Sequence, residues 1–342
     1  MSRYSTKHDK IHDLGYYRDT KTPFYVTTLS KNNKTIMKKT YHLCLSGGDE
    51  VLFRDLEDYH RAFNSFALAL YNTDSNGLAE AIMATHIHKI IQTENPNEHM
   101  HFFRRSYCAY FNHKYHREGR LGEKHHFTME VVGYHHLMAA ISYVLRNAVH
   151  HGVAPTPYAY PHCSANAIFR KEMGKFHTEN LISPNKYYRH IGRRASFPDS
   201  YKMTESGIFL RESVLDIPQV ENLFVTPRSF NYYMNRKSSE EWEKEQEKDG
   251  ESMQPISLLN IEAGVQNSDI TKMLTYEHGK TDYRKISDIE LCTHLDQLAR
   301  SCYKCHSVYQ LSQKEKLQIA NDLYHRLNIG EAQIRRCLAL HK

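Results

Sequence analysis

His86 and His88 are two imidazoles set two residues apart in the β-branched run Met83-Ala-Thr-His-Ile-His-Lys-Ile-Ile91. Side chains at i and i+2 share one face of a strand, so both rings point one way while Ile87 and Ile91 pack on the other. A pair of neutral imidazoles is half of a metal site. The spacing alone is a weak signal, because 24 His in 342 residues produce about two His-x-His pairs by chance. A second copy, His99-Met-His101, follows Asn95-Pro-Asn97 at an expected helix start. There i and i+2 diverge, and we read it as the chance copy.

The first pair has company downstream. Tyr143 and Asn147 lie four residues apart in Ile141-Ser-Tyr-Val-Leu-Arg-Asn-Ala-Val-His150, a stretch of helical pattern, so their side chains stack on one face. Two imidazoles and an amide oxygen can hold a divalent ion that polarises a phosphate oxygen. A phenol beside them can attack the phosphorus and conserve the bond energy in a phosphotyrosyl intermediate. Taken singly, Tyr143 also reads as a half-buried helical tyrosine, and Asn147 as a helix C-cap.

The elements that must position these groups follow from periodicity. Tyr41 to Ser46 alternates like a strand and stops at Gly47-Gly48; Asp55 to Tyr71 has helical spacing; two strands surround Thr85. Asn97 to His116 predicts a second helix closed by Gly119, His125 to Val132 a short strand, and Tyr134 to Asn147 a third helix. This order predicts an α+β core, an antiparallel sheet with helices on one face. The aromatic stripe Phe102, Phe103, Tyr107, Tyr110 and Phe111 reads as core. Arg104, Arg105, Lys114, Arg117 and Arg120 are candidates for contacting nucleic acid.

We divide the chain into a basic arm (1–38), the catalytic unit (39–170), an irregular extension with a charged linker (171–253), and a helical C-terminal unit (254–342). In the last, Ser287-Asp-Ile-Glu290 and Ser312-Gln-Lys-Glu315 are capping boxes. The helix from the second box, the turn Asn328-Ile-Gly330 and a helix bearing Gln333, Arg335 and Arg336 are compatible with a DNA-binding helix-turn-helix and equally with a plain helical bundle. Cys302-Tyr-Lys-Cys-His306 fits a haem-attachment pattern but comes with no secretion signal, and as half of a zinc site it lacks a second pair.

The net charge of +6 favours a polyanionic partner. No run approaches the roughly 18 apolar residues of a membrane span, and the seven irregularly spaced cysteines fit a reducing compartment. The expectation is a cytoplasmic, nucleoid-associated protein with no membrane partner.

Tyr41-His-Leu, Leu52-Phe-Arg-Asp55, Met83-Ala-Thr-His-Ile-His88, Tyr110-Phe-Asn-His-Lys114, Arg117-Glu-Gly119 and Tyr143-Val-Leu-Arg-Asn-Ala-Val149 occur in an order that resembles the single-tyrosine HUH transposases, most closely the REP-associated tyrosine transposases. The resemblance covers about residues 38 to 170; Leu311 to Leu340 resembles the tail of some members. It implies a ferredoxin- or RRM-like HUH nuclease core in which His86, His88 and Asn147 bind Mg²⁺ or Mn²⁺ and Tyr143 is the nucleophile. The implied activity is that of an endonuclease and strand transferase on single-stranded or hairpin DNA, through a 5′-phosphotyrosine intermediate. Asn147-Ala-Val-His-His-Gly152 departs from the family's Asn-Pro-Val pattern, and Ala84-Thr85 replaces its frequent Pro-Asn. The main rival is a DNA-binding regulator with an inactive nuclease core; a third reading is a zinc hydrolase.

Overall fold

The computed structural model describes residues 26–29, 35–235, 276–277, 280–281, 286–327 and 329–340. The charged stretch 238–251 expected as a linker lies outside them. The sheet is built from β1 (Val26–Leu29), β2 (Thr35–Ser46), β3 (Asn76–Met83), β4 (His86–Thr93) and β5 (Phe127–Glu130), all antiparallel, in the order β1-β2-β4-β3 with β5 also on β2. Between them lie α1 (Leu56–Asn72) and α2 (Pro96–Tyr115), and after them α3 (Tyr134–Leu145) and α4 (Asn147–His150). Asp55 caps α1 by accepting from the Asp58 amide at 3.0 Å; Asn95 and Pro96 start α2, and His116 ends it in the left-handed region at φ 49°.

The β2–β4 register pairs Cys44 with His88, Ser46 with His86 and Leu43 with Lys89. One face of the sheet therefore carries His42, Cys44, His86 and His88, and the other Leu43, Leu45, Ile87, Lys89 and Ile91. The second face receives α1 and α2: the Lys89 ammonium lies 3.1 Å from the Phe103 ring centre and 5.0 Å from that of Phe66. The histidine face receives α3, whose Tyr143 ring meets His42 and His88. The expectation of helices on one face is thus corrected. β4 is apolar or buried at every position, and a strand buried on both sides needs cover on both.

The outer edge of β3 is covered by later chain. Ala81 bridges Cys163, the Ile82 amide donates to His162 O at 2.8 Å, and the Asp216 amide donates to Gly77 O at 2.8 Å. A Cβ on Gly77 would lie 2.7 Å from side-chain carbons of both Leu215 and Leu70, so a larger residue here would have to displace them. Residues 171–235, with α5 (Pro184–Ile191), α6 (Arg211–Val214), α7 (Ile217–Phe224) and α8 (Pro227–Asn235), share one hydrophobic core with the sheet, from Leu43 to Met234. Arg211 of this extension pairs with the fully buried Glu80 of β3, which ties residues beyond 170 into the core. The boundary at 38 falls inside β2, with β1 already in the sheet.

The C-terminal unit comprises α9 (Asp288–Cys302), α10 (Gln313–Leu327) and α11 (Glu331–Cys337). Both capping boxes form: Ser287 with Glu290, and Ser312 with Glu315. The unit has its own apolar cluster, which includes Val51 from the sheet unit. It docks on the fully buried Arg54, whose Nε donates to Asp296 at 2.8 Å and whose Nη1 donates to Cys337 O at 2.9 Å. The guanidinium also faces the rings of Tyr309 and Tyr115. No described helix is long and apolar enough to cross a membrane.

Candidate metal and tyrosine site

Strand β4 presents His86 and His88 on one face, and α3 followed by α4 lays Tyr143 and Asn147 over them. His86 Nε2 donates to Asn147 Oδ1 at 2.9 Å, across 61 residues of chain. The Tyr143 ring stands edge-on to His88, centres 5.5 Å apart. The four residues named from spacing come together, and all four side chains are fully buried.

Each histidine is held from behind. Thr85 Oγ1 lies 3.1 Å from His86 Nδ1, and His42 Nε2 lies 2.9 Å from His88 Nδ1. Metal-binding imidazoles commonly use one nitrogen for an orienting hydrogen bond and offer the other to the ion. Here both Nδ1 atoms are engaged, the His86 Nε2 meets Asn147 Oδ1, whose hydrogen bond an ion would replace, and the His88 Nε2 lies 4.0 Å from Cys44 Sγ. Two imidazoles sharing one ion at about 2.1 Å have ring centres roughly 4.6–5.3 Å apart for angles between about 90° and 109°. The His86 and His88 centres are 5.0 Å apart. The donors therefore fit a divalent ion in chemistry and in ring separation. As they stand, no three His, Cys, Asp or Glu side chains among the described residues are grouped to hold one; the amide oxygen of Asn147 is the third donor of this set.

Burial sets the protonation states. It lowers the His42 imidazole to about 3 and that of His86 to about 4. His88 is pushed well below the ordinary range by burial and by the neighbouring rings of His86, His42 and His151. Neutral imidazoles keep a lone pair for a metal. Sequence reasoning missed Thr85 and His42 as orienting partners, and also His151, whose ring centre is 5.3 Å from that of His86. His150 stacks on Tyr143 at 5.5 Å.

The candidate nucleic-acid contacts fare differently. Lys114 is bound by Asp55, Glu57 and Asp58 within 2.7–2.9 Å, and Arg117 by Glu50 at 2.9 Å. Arg104 donates to the carbonyls of Glu123 and Lys124. Arg105 and Arg120 are exposed, but Arg105 sits on α2, in the helix layer across the sheet from Tyr143. In α11, Gln333 and Arg336 are buried against Asp288: Gln333 Nε2 donates to it at 2.9 Å, and Arg336 grips it through Nε at 2.8 Å and Nη2 at 3.0 Å. The helix-turn-helix expectation is corrected for these two residues, because the polar face of α11 neutralises a buried carboxylate. Arg335 is half-buried, 3.7 Å from Glu331.

No protein-family model and no curated protein matches the sequence. A solved structure of the REP-associated tyrosine transposase bound to a REP hairpin is similar at 10% identity and a TM-score of 0.36, over 50% of this chain and 100% of that one. A similarity that loose carries no statement about this chain.

Proposed function

We propose that the chain is a metal-dependent single-stranded DNA endonuclease and strand transferase, with His86, His88 and Asn147 as ligands and Tyr143 as nucleophile. The observation that supports it is the meeting of His86 Nε2 and Asn147 Oδ1 at 2.9 Å beside the Tyr143 ring, with both histidines oriented through Nδ1. A bound Mg²⁺ or Mn²⁺ supplies positive charge to a phosphate oxygen. The Tyr143 oxygen then forms a bond to phosphorus as its proton leaves. The phosphorus–O3′ bond breaks, and the departing 3′-oxygen takes up a proton. The 5′-phosphotyrosine that results keeps a phosphoester that a 3′-hydroxyl can attack in turn, which is strand transfer. Thr85 and His42 hold the imidazoles, and α3–α4 carries the phenol and the amide on one rigid arm.

The complete burial of Tyr143, His86, His88 and Asn147 favours a second reading, a DNA-binding protein whose nuclease core is closed and inactive. The two separate in one assay. Labelled hairpin DNA with a single-stranded flank is incubated with the protein and Mn²⁺ and run on a denaturing gel. The first reading expects a covalent adduct that Tyr143→Phe abolishes while DNA affinity changes by less than about threefold, because the hydroxyl serves attack and hardly serves docking. DNA binding with no adduct from the wild-type chain supports the second, and an undiminished adduct in Tyr143→Phe removes that residue from the chemistry.

A further inference from the structure

Lys114, Arg117 and Arg336 are each held by a carboxylate of the chain itself. One stretch keeps its cations turned to water. Residues 184–202 carry five Lys and Arg against the single Asp199, a net four positive charges in a chain whose total is +6. Here α5 buries Tyr187 and Ile191, four residues apart, with the Tyr187 ring 5.5 Å from Phe197 and 5.7 Å from Phe209. Lys186 and Arg189 lie off that stripe and are exposed. Gly192 ends the helix, its amide donating to Tyr188 O at 3.1 Å, and the Ala195 amide donates to Gly192 O at 3.2 Å. That bond closes a β-turn with Arg193 and Arg194 at its two corner positions, both exposed. Arg61 of α1 adjoins the turn: its guanidinium lies 5.1 Å from the Tyr110 ring centre, and its Nη2 is 3.9 Å from where a Cβ on Gly192 would stand.

None of Arg61, Lys186, Arg189, Arg193 and Arg194 forms an ion pair among the described residues. Like charges gathered without counterions repel one another and attract a polyanion. Tyr188 stands among them, 40% exposed, its ring 5.7 Å from that of Phe197. Guanidinium forks take phosphate oxygens in pairs, and an exposed ring beside them gives an unpaired base a face to stack on. A lipid surface or an acidic protein would use the charges and leave the ring idle. We infer that α5 and the Gly192–Ala195 turn form a docking surface for single-stranded nucleic acid, held through its phosphates and a stacked base rather than through its sequence. The inference rests on the reading of the chain as a DNA-binding protein and extends it. Because α5 packs on α1, on the side of the sheet opposite Tyr143, the surface holds flanking strand and not the reacting phosphate. It is also fixed in advance: Asn72 Nδ2 donates to Ser196 O at 3.3 Å, and the Tyr187 hydroxyl donates to Tyr201 O at 3.3 Å, which lowers the ordering cost of binding.

The probes are a labelled DNA single strand of mixed sequence and the same sequence as a duplex. Binding to the full-length protein is followed by fluorescence anisotropy over a range of KCl, in EDTA so that no metal-dependent chemistry intervenes. Arg189→Gln, Arg193→Gln and Arg194→Gln combined are compared with the same charge change at the exposed Lys171, Arg228 and Lys304, and with Tyr188→Ala, each checked for the wild-type melt. The arginine variant should lose about tenfold or more in affinity for the strand, and its log K against log[KCl] slope should flatten by about two units, about 0.7 for each phosphate contact. The control should change affinity by less than about threefold. If the combined variant melts early, the single substitutions decide, each flattening the slope by about 0.7. Tyr188→Ala should weaken the strand about fivefold and leave the duplex unchanged. An arginine variant that matches the control in affinity and slope, with wild-type binding intact, would overturn this inference and leave the DNA-binding reading standing. Strand and duplex equally affected by Tyr188→Ala, or neither, would overturn the single-strand assignment. Tighter binding to phosphatidylserine vesicles than to the strand, lost in the arginine variant, would assign the surface to a membrane instead. No binding of either DNA by the wild-type chain would remove both the inference and the reading it rests on.

Discussion

Acid should act on this protein through its buried rings. Burial holds His42 and His162 near 3 and His86 and His150 near 4, and pushes His88, His99 and His151 well below the ordinary range. In the unfolded chain each would titrate near 6.5. Between about pH 6.5 and 4 the unfolded state therefore binds the extra protons, and stability falls as pH falls, by about 1.4 kcal/mol per pH unit for each fully titrating ring. Asp58, raised to about 6 by burial and by Asp55, and Glu80, raised by burial, act with the opposite sign, since the folded state binds their protons more tightly. With His60 and His126 also lowered by burial, the imidazoles outnumber these two carboxylates, so unfolding takes up protons on balance near pH 5. Urea unfolding of the metal-free protein at pH 5 and 6 measures this directly, and a slope below one proton would mean that the rings are not held neutral. At this scale the sequence was informative only where a local period set direction. His86 with His88 and Tyr143 with Asn147 were legible because strand and helix spacing each put a pair on one face. His42 could not be found that way, because its meeting with His88 depends on the β2–β4 register.

At the level of elements, the docking of α9 and α11 on the sheet unit concentrates in one ion pair. Arg54 and Asp296 are both buried, and Asp296 also accepts from the Val308 amide at 3.1 Å. Removing one partner of such a pair leaves a charge in a low-dielectric interior, at a cost of about 3–5 kcal/mol. Asp296→Ala should lose that much in denaturant unfolding, and the double variant with Arg54→Met should recover a good part of it, since an apolar replacement removes the stranded charge. Equal losses in the single and double variants would show that the carboxylate serves something other than Arg54. The helices themselves were legible from their capping boxes. What they face was not: a Gln and two Arg on a short helix read the same whether they meet phosphate or, as Gln333 and Arg336 do, a buried Asp288. The cover of the histidine face by α3 was hidden for a related reason, since an apolar strand pattern tells that both sides are buried but not by which element.

For the molecule as a whole, the sheet unit and the C-terminal helices form a continuous interior. Val51 belongs to the C-terminal apolar cluster, Ser307 Oγ donates to Tyr115 O at 2.6 Å, and His116 stacks on His306 at 3.9 Å. A chain ending near Glu251 would uncover Val51, Arg54 and the rings of Phe111 and Tyr115 together. We expect that truncation to aggregate or to melt without cooperativity, by scattering and calorimetry. A soluble, cooperatively melting fragment 1–251 would show that the helical unit is an appended module rather than part of the interior.

The same junction sets a clock. The Arg54 guanidinium closes on partners 242 and 283 residues further along the chain. At a synthesis rate of about 5–20 residues per second, the interval between making Arg54 and making Cys337 is about 14–57 s. Helix and hairpin formation take microseconds, so the sheet can assemble early while its Val51–Arg54 surface waits for residues that do not yet exist. For that interval the nascent chain is a nearly finished domain with one cationic, apolar face in water. The order of the elements along the chain thus lets α11, made long after the sheet, close an interior that begins at Val51 and Arg54.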